Sequence, residues 1–206
     1  MIMSRNANTL ILALAVGLFL VTDAWASDGG DAPGQSPVEV IRARNRAVSK
    51  ILETAGDEPN EETREQLKDV INSVIDFREL SRRSLGRHWD DRTEQEKADF
   101  VDVFEQLIRN SSVKKLSIYR ADSVTYDEPV VTRDGATVRT VAYKDRKSVE
   151  IVYEMHEVNG EWKAYDLVID GASTVRTYRD SFYRQMAKGS YADMYDKLVR
   201  KLTEEG

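Results

Sequence analysis

Few residues of this 206-residue chain have types and spacings that could support catalysis. Its two histidines, His88 and His156, have no second histidine at the spacing of a zinc site. His156 falls on the polar face of a predicted strand, which is typical of a surface histidine. His88, next to Trp89, is typical of a packing or hydrogen-bonding residue. The chain has no cysteine, which excludes a thiol nucleophile and a thiolate metal site.

Two carboxylates, Asp166 and Asp170, stand in an otherwise apolar strand. A carboxylate buried in a pocket could act as a general base. Alternatively, Asp166 faces outward, or it is a hydrogen-bonded structural residue that fixes the turn into the next helix. We favour these structural interpretations. The chain contains no glycine-rich phosphate loop, nucleophile elbow or metalloprotease helix, so the sequence does not predict an enzyme.

The amino terminus has the organisation of a signal peptide. Arg5 precedes the apolar residues 10–21, and Ala24-Trp25-Ala26 follows. The apolar run is shorter than the roughly 20 residues that a membrane-spanning helix needs. We therefore predict a signal peptide over residues 1–26, cleaved after Ala26, and a disordered mature terminus over 27–35. Residues 36–206 are then long enough for one exported domain with a substantial core.

The net charge of −6 argues against a nucleic-acid partner, because nucleic-acid affinity depends on clustered positive charge. Helix-start residues recur along the predicted domain, each followed by apolar residues at helical spacing. Ser36 with Glu39 forms a predicted capping box. The other predicted starts are Asn60, Asp76 and Thr93, and two closing helices carry Val175 to Met186 and, after Ser190, Met194 to Leu202.

The spacing of hydrophobic residues changes from helical to alternating after the helix that begins at Thr93. Residues 123–131, 136–145, 148–158 and 162–170 are rich in β-branched and aromatic residues, which predicts strands. Asp134-Gly135 and Asn159-Gly160 predict hairpins. The third segment is apolar at alternate positions, so one face of the sheet must be covered by helices. The sequence therefore predicts an α+β domain.

Two stretches resemble the MlaC family of periplasmic phospholipid-binding proteins, also called the toluene-tolerance family. The first is DFRELSRRSLGRHW at residues 76–89. The second is GEWKAYDLVIDGAS at residues 160–173, followed by Tyr178, Arg179 and Phe182. The family has the same Trp-Lys-x-Tyr-Asp strand, Gly-x-Ser turn and Tyr-Arg-x-x-Phe helix. The resemblance extends over about residues 38–202, with one departure at Thr174, where the family usually has an apolar residue.

This resemblance implies a helical layer over a curved antiparallel sheet, related to the nuclear transport factor-like cone and enclosing an apolar pocket. It implies a periplasmic carrier that holds acyl chains between the layers, leaves the headgroup at the mouth and has no cofactor or metal. Its partners would be the lipid-binding subunit of an inner-membrane ABC transporter and an outer-membrane lipoprotein complex, and its role would be to maintain outer-membrane lipid asymmetry. Because specificity would lie in apolar volume, we expect the carrier to tolerate varied headgroups and to need no buried counter-charge.

The predicted lipid-binding residues lie on the apolar faces of the strands and on the helices that cover them. They are Leu80, Phe104, Leu107, Ile108, Val149, Ile151, Tyr153, Tyr165, Leu167, Ile169, Tyr178 and Phe182.

Three alternatives stay open at this point. The cargo could be another lipid, such as a hopanoid. The chain could be a pocket enzyme of the isomerase or dehydratase type that uses Asp166 or His88. It could also be a structural adaptor with a filled core. The sequence leaves open the direction of transport, the headgroup preference, the number of acyl chains, the docking residues and the oligomeric state.

Overall fold

The computed structural model describes residues 35–56, 58–114 and 119–205. The predicted signal peptide lies outside these residues, as does the predicted disordered terminus apart from Gln35. None of the helices within the described ranges is long and apolar enough to cross a membrane.

The described residues form an α+β fold in which helices precede and follow one antiparallel sheet. The fold class predicted from the sequence is confirmed. The helices are α1 (Pro37–Ala55), α2 (Glu61–Asn72), α3 (Phe77–Leu85), α4 (Glu94–Val113), α5 (Thr174–Met186) and α6 (Tyr191–Glu205), with a short 3₁₀ turn at Gly86–His88. The strands are β1 (Ser123–Tyr126), β2 (Val130–Thr132), β3 (Gly135–Lys144), β4 (Lys147–Val158), β5 (Glu161–Ile169) and β6 (Ala172–Ser173).

The predicted N-cap residues begin the helices in the structure. The side chains of Ser36, Asn60, Asp76 and Thr93 each accept a hydrogen bond from the backbone N–H three residues later. At Thr93 the box is complete, because Glu96 accepts the Thr93 N–H in return at 2.8 Å. At Ser36 only the forward bond forms, and Glu39 pairs with Arg42 at 3.0 Å instead. The prediction of a full capping box at Ser36 is therefore wrong.

The sheet has the order β1-β3-β4-β5-β6, and β2 also pairs with β3. The single strand predicted over 123–131 is two strands, because Pro129 has no N–H to donate to the ladder. The hairpin at Asn159-Gly160 is confirmed, with positive φ at both residues. The hairpin predicted at Asp134-Gly135 has its turn one residue earlier, at Arg133-Asp134, because Thr132 pairs with Gly135. Gly135 begins β3 there, and a Cβ on it would lie 2.3 Å from the Met155 carbonyl oxygen.

One extra residue in β5 changes which side chains face the helices. Glu154 pairs with Asp166 and Met155 pairs with Ala164, so Tyr165 has no partner position in β4 and forms a β-bulge. The bulge places Trp162 and Ala164 on the same face as Leu167 and Ile169. The prediction that Tyr165 shares the apolar face of Leu167 and Ile169 is therefore wrong.

Residues 74–76 cover part of the outer edge of β5. Ala164 donates its N–H to the Val74 carbonyl at 2.7 Å and accepts the Asp76 N–H at 2.9 Å. Asp76 then caps α3 through Oδ1 and contacts His156 Nε2 through Oδ2 at 2.9 Å. The junction between α2 and α3 is thus fixed to both β4 and β5.

The apolar core consists of three clusters of buried side chains. The helix cluster joins α3, α4, α5 and α6 around Phe100, Phe104 and Phe182. The sheet cluster joins α1 to the inner faces of β3, β4 and β5 around Ile41, Val138 and Tyr153. The α1–α2 cluster consists of Val48, Leu52, Leu67 and Ile71.

Candidate functional site

A cavity of about 150 Å³ lies where the three clusters meet. Its walls come from α1, the C-terminal ends of α2 and α4, the start of α3, the inner faces of β4 and β5, and α5. Apolar side chains make up most of the wall: Ile71, Val74, Ile75, Leu80, Ile108, Ile151, Leu167 and Ile169, with the rings of Tyr153 and Tyr178. The polar residues of the wall are Arg44, Asn72, Ser111, Ser112, Tyr119 and Thr174.

Seven of the twelve predicted lipid-binding residues line this cavity. They come from α3, α4, α5 and both central strands: Leu80, Ile108, Ile151, Tyr153, Leu167, Ile169 and Tyr178. The wall also includes Thr174, the position at which the chain departs from the family pattern. Its hydroxyl donates to the Leu167 carbonyl at 2.8 Å, so the polar group is bonded to the backbone of β5.

Three further predicted residues, Phe104, Leu107 and Phe182, are buried in the helix cluster and do not line the cavity. Phe104 makes an edge contact with Tyr178 at a centroid distance of 4.7 Å, and with Phe182 at 5.6 Å. Phe104 and Phe182 therefore support Tyr178 from behind. Aromatic residues at helical spacing indicated burial in the sequence, but burial alone did not separate the cavity wall from solid core.

The remaining two predicted residues lie elsewhere. Val149 packs against the sheet cluster and borders a separate surface cleft at the β3–β4 hairpin. Tyr165 lies outside the cavity because of the bulge, with the Arg83 guanidinium 3.8 Å from its ring centroid and His156 in edge contact.

Arg44 is the functional candidate that sequence reasoning missed. It lies on α1, is only 4% exposed and lines the cavity, although we expected the carrier to need no buried counter-charge. Nη2 donates to the Tyr153 hydroxyl at 2.6 Å, and Nη1 donates to the Tyr119 hydroxyl at 3.2 Å and to the Ile71 carbonyl at 3.4 Å. Nε has no hydrogen-bond partner among the described residues.

The electrostatics of this group follow from its neighbours. Burial would lower the pKa of Arg44, but the adjacent Tyr153 and Tyr119 raise it above its usual value. Burial raises the pKa of Tyr119, so its hydroxyl is neutral at physiological pH. None of the described carboxylates forms an ion pair with Arg44. The cavity wall therefore carries a full positive charge that pairs with no carboxylate among the described residues.

The residues considered for catalysis lie away from this cavity. Asp166 is buried, accepts the Ser173 hydroxyl at 2.5 Å and the Val175 N–H at 3.0 Å, and so connects β5 to the first turn of α5. This is the structural role that we favoured. Asp170 occupies a turn with φ +47° and accepts the Glu150 N–H. His88 makes an edge contact with Tyr183 at 5.0 Å, and His156 is half-buried against Asp76, which corrects its assignment to the surface.

A second polar feature is an open groove between α3 and α5. Its floor includes Asp166 and Ser173, and five arginines border it: Arg82, Arg83, Arg87, Arg176 and Arg179. Glu79 on the neighbouring surface pairs with Arg82 at 2.6 Å and with Arg83 at 2.7 Å. Those contacts hold the pKa of Glu79 below its usual value, chiefly through its hydrogen bond to Arg82.

Together, the fold and the cavity define a class of protein: an α+β binding domain whose helices and curved sheet enclose an apolar cavity. Comparison with known families narrows the class. The family model for the MlaC protein matches residues 42–204, so the chain belongs to the MlaC family. Among curated proteins, no significant sequence match was found.

A solved structure shares the fold. It is the phospholipid-binding protein from Ralstonia solanacearum in complex with a phospholipid, which is 23% identical to this chain with a TM-score of 0.67. The match covers 84% of this chain and 97% of that one. The similarity therefore extends across nearly the whole Ralstonia protein.

Proposed function

We propose that this chain is a periplasmic carrier that binds phospholipid acyl chains in the cavity between its helices and its sheet. The observation that carries the proposal is the apolar cavity itself, at the meeting point of three core clusters in an MlaC-family fold. The phospholipid in the Ralstonia protein, which has the same fold, supports this cargo. The chain would act by binding and would carry out no reaction on the lipid.

The physical reason for a carrier is the cost of moving acyl chains through water. Each buried CH₂ contributes about 0.8 kcal/mol, so two long acyl chains represent roughly 20 kcal/mol. The donor membrane is itself apolar, and transfer into an apolar cavity is close to neutral overall. Such a carrier lowers the barrier to crossing water, while the direction of transfer comes from its partners. The proposed partners are an inner-membrane ABC transporter subunit and an outer-membrane lipoprotein complex.

The size of the cavity sets a requirement for binding. A volume of about 150 Å³ matches the engineered protein cavity that holds one benzene molecule, and an acyl chain has several times that volume. Loading would therefore enlarge the cavity by separating the clusters that border it. Its position at the junction of three clusters favours this, because separation would leave the packing inside each cluster intact.

The proposed location rests on the sequence. The amino-terminal residues have the order of a signal peptide, and the absence of cysteine suits an oxidising compartment in which free thiols are a liability.

The first test is the lipid content of the mature protein after mild purification, measured by native mass spectrometry. We expect wild-type protein to carry phospholipid. In an Ile151→Trp variant, the indole would fill the cavity from β4 and reduce the bound lipid several-fold. Overpacking would lower the free energy of unfolding by about 1–3 kcal/mol.

The matched control is Val130→Trp, because the Val130 side chain is 64% exposed on β2 and does not line the cavity. This variant should retain the wild-type lipid content, and circular dichroism should report the wild-type fold in both variants. The cavity assignment is wrong if folded Ile151→Trp protein carries as much lipid as the wild type. The carrier proposal itself fails if the wild type neither retains nor takes up phospholipid from vesicles.

A further inference from the structure

We propose that the Arg44 end of the cavity binds the oxyanion, a carboxylate or phosphate, of a single-chain amphiphile that enters with its head inward. This goes beyond the proposed carriage of phospholipid, in which the headgroup stays at the mouth. The ligand class follows from three features of the wall: an uncompensated buried charge, unused donors on that charge, and a small apolar volume beside it.

The first feature is the charge balance. Buried charges in proteins are normally paired or bound to a ligand, because desolvating an isolated ion costs several kcal/mol. Arg44 is 96% buried, and its partners are two phenol hydroxyls and one backbone carbonyl, all neutral. An anion in the cavity would supply the missing negative charge.

The second feature is the set of donors that remain unused. A guanidinium has five N–H groups, and the three hydrogen bonds of Arg44 use both N–H groups of Nη1 and one of Nη2. The Nε–H and the second N–H of Nη2 remain. These donors lie on adjacent nitrogens of one planar group, and such a pair matches the two oxygens of a carboxylate or phosphate.

A second buried polar group on the cavity wall, an acceptor, lacks one hydrogen-bond partner among the described residues. Asn72 lines the same wall, is 2% exposed, and donates from Nδ2 to Lys68 O and Ser112 Oγ. Its Oδ1 has no partner among the described residues. A buried acceptor of this kind is satisfied by a hydroxyl or by a water that accompanies a bound head group.

The third feature is size. In its present volume of about 150 Å³ the cavity accommodates an oxyanion and the first carbons of one chain, whereas a complete zwitterionic headgroup with its glycerol and second chain would require a larger separation of the clusters. A head-inward ammonium would also place a second positive charge beside Arg44. Both considerations favour a single-chain acid, such as a free fatty acid or a lysophosphatidate, for the head-inward mode.

The test uses delipidated mature protein and two pairs of probes that differ in charge. Palmitate is compared with methyl palmitate, and palmitoyl lysophosphatidate is compared with monopalmitoylglycerol. Removing a charge-assisted hydrogen bond typically weakens binding by about tenfold to a hundredfold. We expect at least one acid to bind that much more tightly than its neutral counterpart. Which acid does so identifies the head as carboxylate or phosphate.

Arg44→Met should remove this preference, since methionine keeps the apolar length of the side chain without its charge. Arg46→Met is the matched control, because Arg46 is two residues along α1 with a side chain that is 64% exposed. The control should keep the wild-type preference.

A measurement on wild-type protein keeps the inference testable if Arg44→Met does not fold. The carbon-13 carboxyl resonance of labelled palmitate should show a carboxylate that stays ionised to lower pH in the complex than in water, because a facing guanidinium favours the charged form. Equal affinity for the acid and neutral probes in both pairs would overturn the inference, and a bound carboxyl that titrates as it does in water would overturn it for a carboxylate head. If phospholipid binding persists in that case, the carrier proposal stands. If palmitate prefers Arg44 but no phospholipid binds, the carrier proposal fails and this inference stands.

Discussion

The carboxylate of Asp166 joins β5 to α5 through two hydrogen bonds, and its consequences can be measured directly. Asp166→Ala would leave the Val175 N–H and the Ser173 hydroxyl without their buried acceptor. Leaving a buried donor unsatisfied costs about 1–3 kcal/mol, so we expect the free energy of unfolding to fall by about that amount. Chemical denaturation of the mature protein would measure the loss.

Asp180→Ala provides the control, because Asp180 lies exposed on α5, the helix to which Asp166 is bonded. Its effect on stability should be small. The folded fraction of Asp166→Ala should keep the wild-type lipid content, since Asp166 does not line the cavity. A variant with unchanged stability and impaired lipid binding would contradict the structural role of Asp166.

Sequence reasoning found the apolar wall of the cavity at this scale but missed Arg44. Its position carried a signal: Ile41, Arg44 and Val48 follow one another at helical spacing on α1, and both apolar neighbours are fully buried. An arginine inside an apolar stripe is normally expected to interrupt the stripe and to place its guanidinium in solvent, because long cationic side chains extend to water. Only the position of Tyr119 and Tyr153 around the guanidinium shows that it stays inside.

At the scale of elements, the bulge at Tyr165 sets the register of β5. Strand side chains alternate with a period of two, so the extra residue is what brings Trp162 and Ala164 to the same face as Leu167 and Ile169. Deletion of Tyr165 would place Ala164 directly before Asp166 and would leave a regular ladder with the same face inward. We therefore expect this deletion variant to fold, with Ala164 still buried and bonded to Val74 and Asp76, and to lose about 1 kcal/mol of stability.

The Tyr165→Ala substitution tests the contribution of the Tyr165 ring without changing the register of β5. This variant loses the contact with the Arg83 guanidinium and keeps the extra residue, so it should cost about 1 kcal/mol or less. Thermal unfolding of both variants would make the comparison. We expect similar small losses in the two variants, and a much larger loss in the deletion variant would mean that the fold also requires the local bend of the bulge.

Helix starts were predictable because short-range hydrogen bonding dictates them, as Asn60 and Thr93 show. The bulge was less accessible because bulges depend on pairing with a distant strand. A signal was nevertheless present: apolar positions are even-numbered at Trp162 and Ala164 but odd-numbered at Leu167 and Ile169. The cavity could not be predicted from pattern alone, because the same apolar residues can form a wall or a filled core.

At the scale of the whole molecule, the chain has no cysteine, so no disulfide joins the three clusters across the cavity. A ligand that occupies the junction would therefore stabilise the folded state by mass action. At a free lipid concentration of 100 times Kd the gain is about 2.7 kcal/mol. For a domain of this size, that corresponds to a rise in melting temperature of about 5–10 °C.

Calorimetry of loaded and delipidated protein would test this linkage. The Ile151→Trp variant should show a smaller rise in melting temperature than the wild type at the same lipid concentration, because the indole already fills part of the junction. Identical melting temperatures for loaded and delipidated wild type would contradict a binding site at the junction of the clusters.

The attachment of residues 74–76 to β5 has a consequence for successive rounds of ligand binding and release. Ala164 is bonded to Val74 and Asp76, and Asp76 also contacts His156. The start of α3 therefore keeps a constant position relative to the sheet while other parts of the wall give way to cargo. Leu80, one turn into α3, would meet each arriving chain at the same place. A fixed reference of this kind would let the empty protein return to one conformation after every delivery, ready for the next membrane encounter.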